Sequence, residues 1–241
     1  MMSEMTSAYN GTLMNSQSTF QISTIFLLFS LFFLQPCVAK AEEPMAWRIR
    51  DIASAPVDVV QLRDKRDRVI ASMATKQLLL IYSAMVAIQE VAEINAELFV
   101  VDGKEPNAFA TVGKDDQNVI GFTFGMLALI GMDVDAAAGI IGHELAHLKL
   151  DHMKERKKAI ENSSRTTFTA ASSKYTRDNE RESDYLGAIW ALEAGYDPAG
   201  AVRVHEKLYK ISKRQVGFSG SHPSSIERLT ILKSLVRRLS K

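Results

Sequence analysis

Between Lys76 and about Ala96, the apolar residues Leu79, Leu80, Met85, Ile88 and Val91 recur at roughly helical spacing, which predicts a core helix. Behind it, Leu98-Phe99-Val100-Val101 is a short run of β-forming residues closed by Asp102-Gly103. Two more short strands are predicted around Ala108–Val112 and Asn118–Phe122, giving a small antiparallel sheet. From there the pattern turns helical. Asp133 or Asp135 caps a helix that carries Ala136, Ile140, Leu145 and Leu148 to about Met153. A second helix runs from about Asn179 to Gly195, and Asp197-Pro198 supplies the N-cap and first-turn proline of a third. Ile226, Leu229, Leu232, Val236 and Leu239 form one stripe on the last helix. Residues 42–75 are mixed and charged, with Arg63, Lys65, Arg66 and Arg68 near the middle; they predict irregular structure passing into helix and no site. Lys154 to Asp178 holds eight Ser or Thr and seven basic residues with little periodicity, and reads as frayed helix and solvated connector. The fold class is α+β: a mainly helical domain with a small antiparallel sheet beside the helix at 133–153.

Composition narrows the function. The chain has 241 residues, 46% hydrophobic and 24% charged, enough for a packed core and unlike a disordered chain. With 29 Lys and Arg against 28 Asp and Glu, the net charge of +1 excludes a nucleic-acid binder whose affinity rests on charge. Cys37 is the single cysteine, so a disulfide framework and a thiolate metal cage are both excluded. Any metal must be held by His, Asp or Glu.

The N-terminal segment stands apart. Phe20 to Leu34 is an apolar run of the length of a secretory signal's hydrophobic region, and Ala39-Lys40-Ala41 supplies a small-x-small cleavage site. Residues 1–41 are therefore expected to be a signal peptide and 42–241 one mature domain, periplasmic or secreted. Lipidation at Cys37 is disfavoured by Pro36 before it, and an uncleaved anchor through residues 20–39 is disfavoured by Gln35 and Pro36.

The chemistry centres on His143-Glu144-Leu145-Ala146-His147. Helical residues four apart lie about 40° apart around the axis, so His143 and His147 point the same way and can grip one metal ion. Glu144 is adjacent, placed to take a proton from a metal-activated water without being a ligand. Two exposed histidines on an ordinary amphipathic helix would sit badly with the apolar run Ala136–Ile141, since a buried imidazole needs partners. A third ligand must come from elsewhere. Leu150 and Met153 stand where an extended metzincin motif needs Gly and His, so that type is excluded. His152, nine residues from His143, would lie about 180° round a continuous helix and reads as a surface or core-edge residue. His205, beside Val204 and Leu208, reads as structural. Thirty-three residues beyond His147, Glu180 and Asp184 again lie four apart on a predicted helix. One can bind the metal while the other accepts the free N–H of a ligating imidazole.

These residues carry a resemblance. Asn179-Glu180 with Ser183-Asp184 downstream of His143-Glu144-x-x-His147 is similar to the gluzincin metallopeptidases. Gly142 through His147, His152, Glu180 through Gly187, Ser221-His222-Pro223, Arg228-Leu229 and Asn107-Ala108-Phe109-Ala110 together resemble the CAAX-prenyl proteases, the HtpX-like heat-shock proteases and their soluble envelope relatives, over about residues 60–240. The resemblance implies one Zn(2+) per chain, Glu180 as third zinc ligand, Asp184 as partner of His143 and Glu144 as general base. It further implies that His222 comes near the metal, as a resting-state ligand or an oxyanion donor, with Arg228 behind it. The residue-level alternative is a cap-region His222 with Arg228 paired to a carboxylate. The sequence departs from the family at Ser183, usually Ala, and at Lys114-Asp115-Asp116, where relatives often carry glycines.

The function so read is a zinc endopeptidase acting on extended, unfolded polypeptide in an envelope compartment, as in quality control. The substrate is expected to pair with the strand Asn118, Val119, Ile120, Gly121 and Phe122 through main-chain hydrogen bonds. A latent, chaperone-like binder and an outer-membrane assembly partner are the other classes. The exported protein is expected to begin near Glu42; N-terminal sequencing checks this, and retention of residues 20–39 would instead mark an anchor.

Overall fold

The computed structural model describes residues 45–113, 115–152, 154, 158, 168–214, 222 and 226–239. The apolar segment before Ala41 lies outside the described residues, as do Lys114, Ser221, Pro223 and most of the connector after Lys154. Pro44–Lys241 forms one unit.

Where the charged stretch 42–75 predicts irregular structure, the chain forms strand β1 (Ala46–Arg48), a short helix α1 (Ile49–Ala53) and a hairpin, β2 (Val59–Arg63) with β3 (Val69–Ala74). Val60 and Leu62 face inward while Val59, Gln61 and Arg63 face water, the two-residue period of a half-buried strand. The charges belong to the turn. Asp64 accepts the N–H groups of Arg66 and Arg68 and pairs with the Arg68 guanidinium, and Asp67 takes a left-handed conformation at φ 61°.

Helix α2 (Thr75–Ala92) buries Leu78, Ile81, Met85 and Ile88, and the left-handed Glu93 ends it by bonding back to Gln89 O. Next come β4 (Glu97–Val101), β5 (Ala108–Val112) and β6 (Asn118–Thr123). Their sheet has the order β1-β4-β6-β5 and is mixed rather than antiparallel: β6 pairs parallel with β4 and antiparallel with β5. β6 enters between its two predecessors instead of adding outside them. Gly121 permits this packing, because the Phe109 ring on β5 occupies the space a Cβ would fill, 2.3 Å from it.

Thr123 caps α3 (Phe124–Ile130), and Asp133 caps α4 (Val134–Lys149) by accepting the Ala136 N–H at 3.1 Å. Every residue of α4 from Ala136 to Leu148 is buried, as expected of a helix enclosed by neighbours. α4 ends four residues short of the predicted Met153, with Asp151 left-handed at φ 54°. α5 (Phe168–Glu193) begins well before the predicted Asn179 and is followed by α6 (Ala199–Arg214) and α7 (Ile226–Leu239). No helix among the described residues is long and apolar enough to cross a membrane.

α4 is packed by α2, α5, α6 and the edge of the sheet. Its closest approaches fall at glycines. A Cβ on Gly142 would lie 2.7 Å from Gly187 O, and one on Gly187 would lie 2.6 Å from His143 N. A Cβ on Gly139 would lie 2.7 Å from the Ala201 methyl of α6. At Gly142 and Gly187 the α4–α5 crossing is thus a backbone-to-backbone contact.

Gly142→Ala is expected to destabilise the fold by about 1–3 kcal/mol despite alanine's better helix propensity, because the clashing atoms are backbone and cannot rotate away. Urea unfolding of the purified chain checks this, and an unchanged midpoint would mean that the crossing has room to spare.

Candidate metal centre

His143, Glu144 and His147 lie in the middle of the enclosed part of α4, with 6%, 1% and 7% of their surface exposed. The rings of His143 and His147 meet edge to face, and their Nε2 atoms are 3.1 Å apart. One turn of helix spaces them.

α5 brings the carboxylates. Glu180 Oε2 lies 3.4 Å from His143 Nε2, and Glu180 Oε1 lies 3.5 Å from His147 Nε2. His222 adds a fourth donor, its Nδ1 3.4 Å from His143 Nε2 and 2.8 Å from Glu180 Oε1. One atom each from His143, His147, Glu180 and His222 can be chosen so that all lie within 4.8 Å of one another. Bonds of 2.0–2.1 Å to zinc in a tetrahedron put neighbouring donor atoms about 3.3–3.4 Å apart. The donor set and its spacing fit zinc.

Behind the donors lies a buried charge network. Arg228, on α7, donates from Nε to Asp184 Oδ2 at 2.6 Å and from a terminal nitrogen to Asp184 Oδ1 at 2.7 Å. Its other terminal nitrogen reaches Glu180 Oε2 at 2.5 Å. Asp184 Oδ1 also faces His143 Nδ1 at 3.0 Å and His205 Nε2 at 3.5 Å. Burial alone would raise both carboxyl groups, but His222 beside Glu180 and Arg228 beside Asp184 hold them well below the usual carboxylate range. Burial likewise opposes charge on Arg228, and the two carboxylates more than restore it. His143 is pulled down by burial and up by Asp184 and Glu180, which raise it to about 9. Burial and the nearby His143 keep His147 neutral, and burial with the charge of Arg228 takes His205 down to about 3. Arg228 and the ring of His143 thus offset Asp184 and Glu180, and a metal ion held by His143, His147 and Glu180 would compete with the proton for His143.

Glu144 Oε1 lies 3.3 Å from His222 Nε2, while Glu144 Oε2 is buried without a hydrogen-bond partner among the described residues. The predicted site residues His143, Glu144, His147, Glu180, Asp184, His222 and Arg228 therefore come together. Arg228 is paired to carboxylates, and it makes those pairs buried, beside the donor cluster.

The proposed substrate strand is corrected. Asn118 to Phe122 is the interior strand β6, whose main chain is taken up by β4 on one side and β5 on the other, so no third chain can add to it. Phe122 is 1% exposed and belongs to the core, and Phe124 stacks on Trp47. The sheet edge on this side is β5. A cleft of about 240 Å³ lies at its end, lined by Val112, Asp116, Asn118, His147, Leu148 and Asp151 among others.

His152 was missed by helical arithmetic. It is buried, and its Nδ1 lies 3.0 Å from His147 Nδ1. The 180° offset assumed one continuous helix, whereas α4 stops at Lys149 and the left-handed Asp151 turns the chain back under His147. The cue was His152 itself, one of the residues that carry the family resemblance.

A family model described as peptidase family M48 matches residues 72–170 and 158–236. The mitochondrial metalloendopeptidase OMA1 of Schizosaccharomyces pombe is 26% identical over 167 residues, covering 60% of this chain and 48% of that protein. The mitochondrial metalloendopeptidase OMA1 of Arabidopsis thaliana is 30% identical over 159 residues, 58% of this chain and 31% of that protein. A protease HtpX homolog of Thermodesulfovibrio yellowstonii is 36% identical over 53 residues, 22% of this chain and 18% of that protein. The chain spans less than half the length of each of these relatives. Because the matched segments run from β3 through both helices of the donor cluster to α7, the chain belongs to peptidase family M48, among the zinc metallopeptidases related to HtpX.

Proposed function

We propose that this protein is an exported zinc endopeptidase that cuts unfolded polypeptide, with His143, His147 and Glu180 holding one zinc ion. The observation that carries the reading is that His143 Nε2 lies 3.1 Å from His147 Nε2 and 3.4 Å from one oxygen of Glu180, whose other oxygen lies 3.5 Å from His147 Nε2. Zinc held there supplies a Lewis acid that acidifies a water towards a pKa of ~7 and polarises a carbonyl. The chain's own groups do the rest. Glu144 takes the water's proton at its carboxylate and passes it to the leaving amine. Asp184 accepts the Nδ1 hydrogen of His143, which leaves Nε2 as the donor atom, and Arg228 holds Asp184 and Glu180 in register.

The substrate lies along the outer edge of β5 and pairs with it by main-chain hydrogen bonds, its side chains reaching the cleft beside His147. Support comes from the sheet order, from the packing of α4 against β5 and from the position of that cleft. The apolar segment 20–34 and the Ala39-Lys40-Ala41 site support export, and main-chain recognition suits the removal of misfolded envelope proteins. The names of two relatives as metalloendopeptidases support cleavage within chains.

A second reading has its own observation. His222 stands among the three donors with its Nε2 against Glu144, in the space an attacking water and a scissile carbonyl need. In this arrangement the enzyme is latent, and His222 must swing out before peptide can bind.

Purified protein from Glu42, loaded with zinc, is expected to digest casein, whereas Glu144→Gln at equal zinc loading does not. Equal cutting by both would remove Glu144 from its role. His222→Ala is expected to cut faster than wild type if latency is correct; a fall of about 10²–10³ would mark His222 as an oxyanion donor instead.

A further inference from the structure

Each imidazole facing the donor cluster has a second nitrogen, and the partner of that nitrogen decides which tautomer the ring adopts. For His143 the partner is Asp184. For His147 it is another imidazole: His147 Nδ1 and His152 Nδ1 lie 3.0 Å apart, with the two rings edge to face at 5.0 Å between centroids. Two ring nitrogens at that distance share one hydrogen, so one donates and the other offers its lone pair. His147 keeps the lone pair of Nε2 for the donor cluster, where that atom sits 3.1 Å from His143 Nε2 and 3.5 Å from Glu180 Oε1. Its hydrogen is therefore on Nδ1. His152 Nδ1 is then the acceptor, and the hydrogen of His152 is on Nε2, which faces Glu182 Oε2 at 3.6 Å.

We propose that His152 is the positioning residue of His147: it accepts the Nδ1 hydrogen and fixes the tautomer and angle of the ring. The proposal rests on the zinc site described above. It gives the two histidine ligands different backing. His143 leans on a carboxylate that is itself locked by Arg228, and His147 leans on a neutral ring held by the turn after α4. Asp151 makes that turn, its N–H bonding Leu148 O while its φ of 54° reverses the chain. Ser183 Oγ lies 3.5 Å from the same His152 Nδ1, beside the contact with His147, at the position where the resembling family usually has alanine.

The test measures zinc affinity by competition with a chromogenic chelator on the mature chain, for wild type, His152→Leu, His152→Asn and Glu180→Gln, together with melting of each metal-free form. Cobalt(II) substitution adds a visible spectrum that reports ligand geometry. His152→Leu is expected to weaken zinc binding by about 10–100-fold and to alter the cobalt spectrum. His152→Asn, whose Oδ1 accepts the same hydrogen, is expected to restore most of the affinity and the wild-type spectrum. Wild-type affinity in His152→Leu overturns the proposal and leaves the zinc site standing. Equal losses in the Leu and Asn variants, with lowered metal-free melting, show a packing role and overturn it as well. Zinc binding as tight in Glu180→Gln as in wild type sinks the site itself, and the proposal with it.

Discussion

The contact between Gly142 and Gly187 governs the geometry of everything around it. Two helices that touch through backbone atoms have no side chain to compress or re-rotate, so their separation is set by hard-sphere limits. Asp184 lies about one helical turn before that contact on α5, and Glu180 lies about two turns before it. His143 is the next residue after Gly142 on α4. The carboxylates are thereby delivered to the imidazoles by two rigid rods crossing at a fixed point, and the 3.0 Å pairing of Asp184 with His143 falls beside that point.

Such a site costs desolvation. Two carboxylates and a guanidinium buried together would be unfavourable without near-complete pairing, and each group here has several charged or hydrogen-bonding neighbours. Arg228 arrives from α7, the last helix, so the network stays incomplete until the end of the chain has docked. That couples the charge balance of the centre to the integrity of the whole helical layer, and it explains why a residue so far along the sequence is as buried as the central helix itself.

Much of this was legible beforehand. The spacing of His143, Glu144 and His147, and of Glu180 and Asp184, carries its own geometry, because an α-helix converts sequence offset directly into direction. What escaped was whatever depends on where elements stop or how they associate. The charges at Asp64 to Arg68 belong to a tight turn, and they masked the alternation of Val60 and Leu62 in β2. The parallel pairing of β6 with β4 is a tertiary choice, made possible by Phe109 lying over Gly121, that neither strand announces alone. His152 was misjudged because an aspartate at positive φ, rather than a glycine or proline, ends α4. The polar composition before Asn179 hid the first turns of α5.

The interior position of β6 leaves β5 as the sheet edge next to α4, and the substrate pairing proposed there would read almost nothing but main chain. Every protein has the same main chain, so selection at such an edge is selection by availability. A segment already paired within its own sheet or helix has no hydrogen bonds to offer, and it becomes a substrate only during the moments when it opens. If β5 holds the substrate as proposed, cutting rates would rank polypeptides by the free energy of their local opening rather than by their amino-acid sequence.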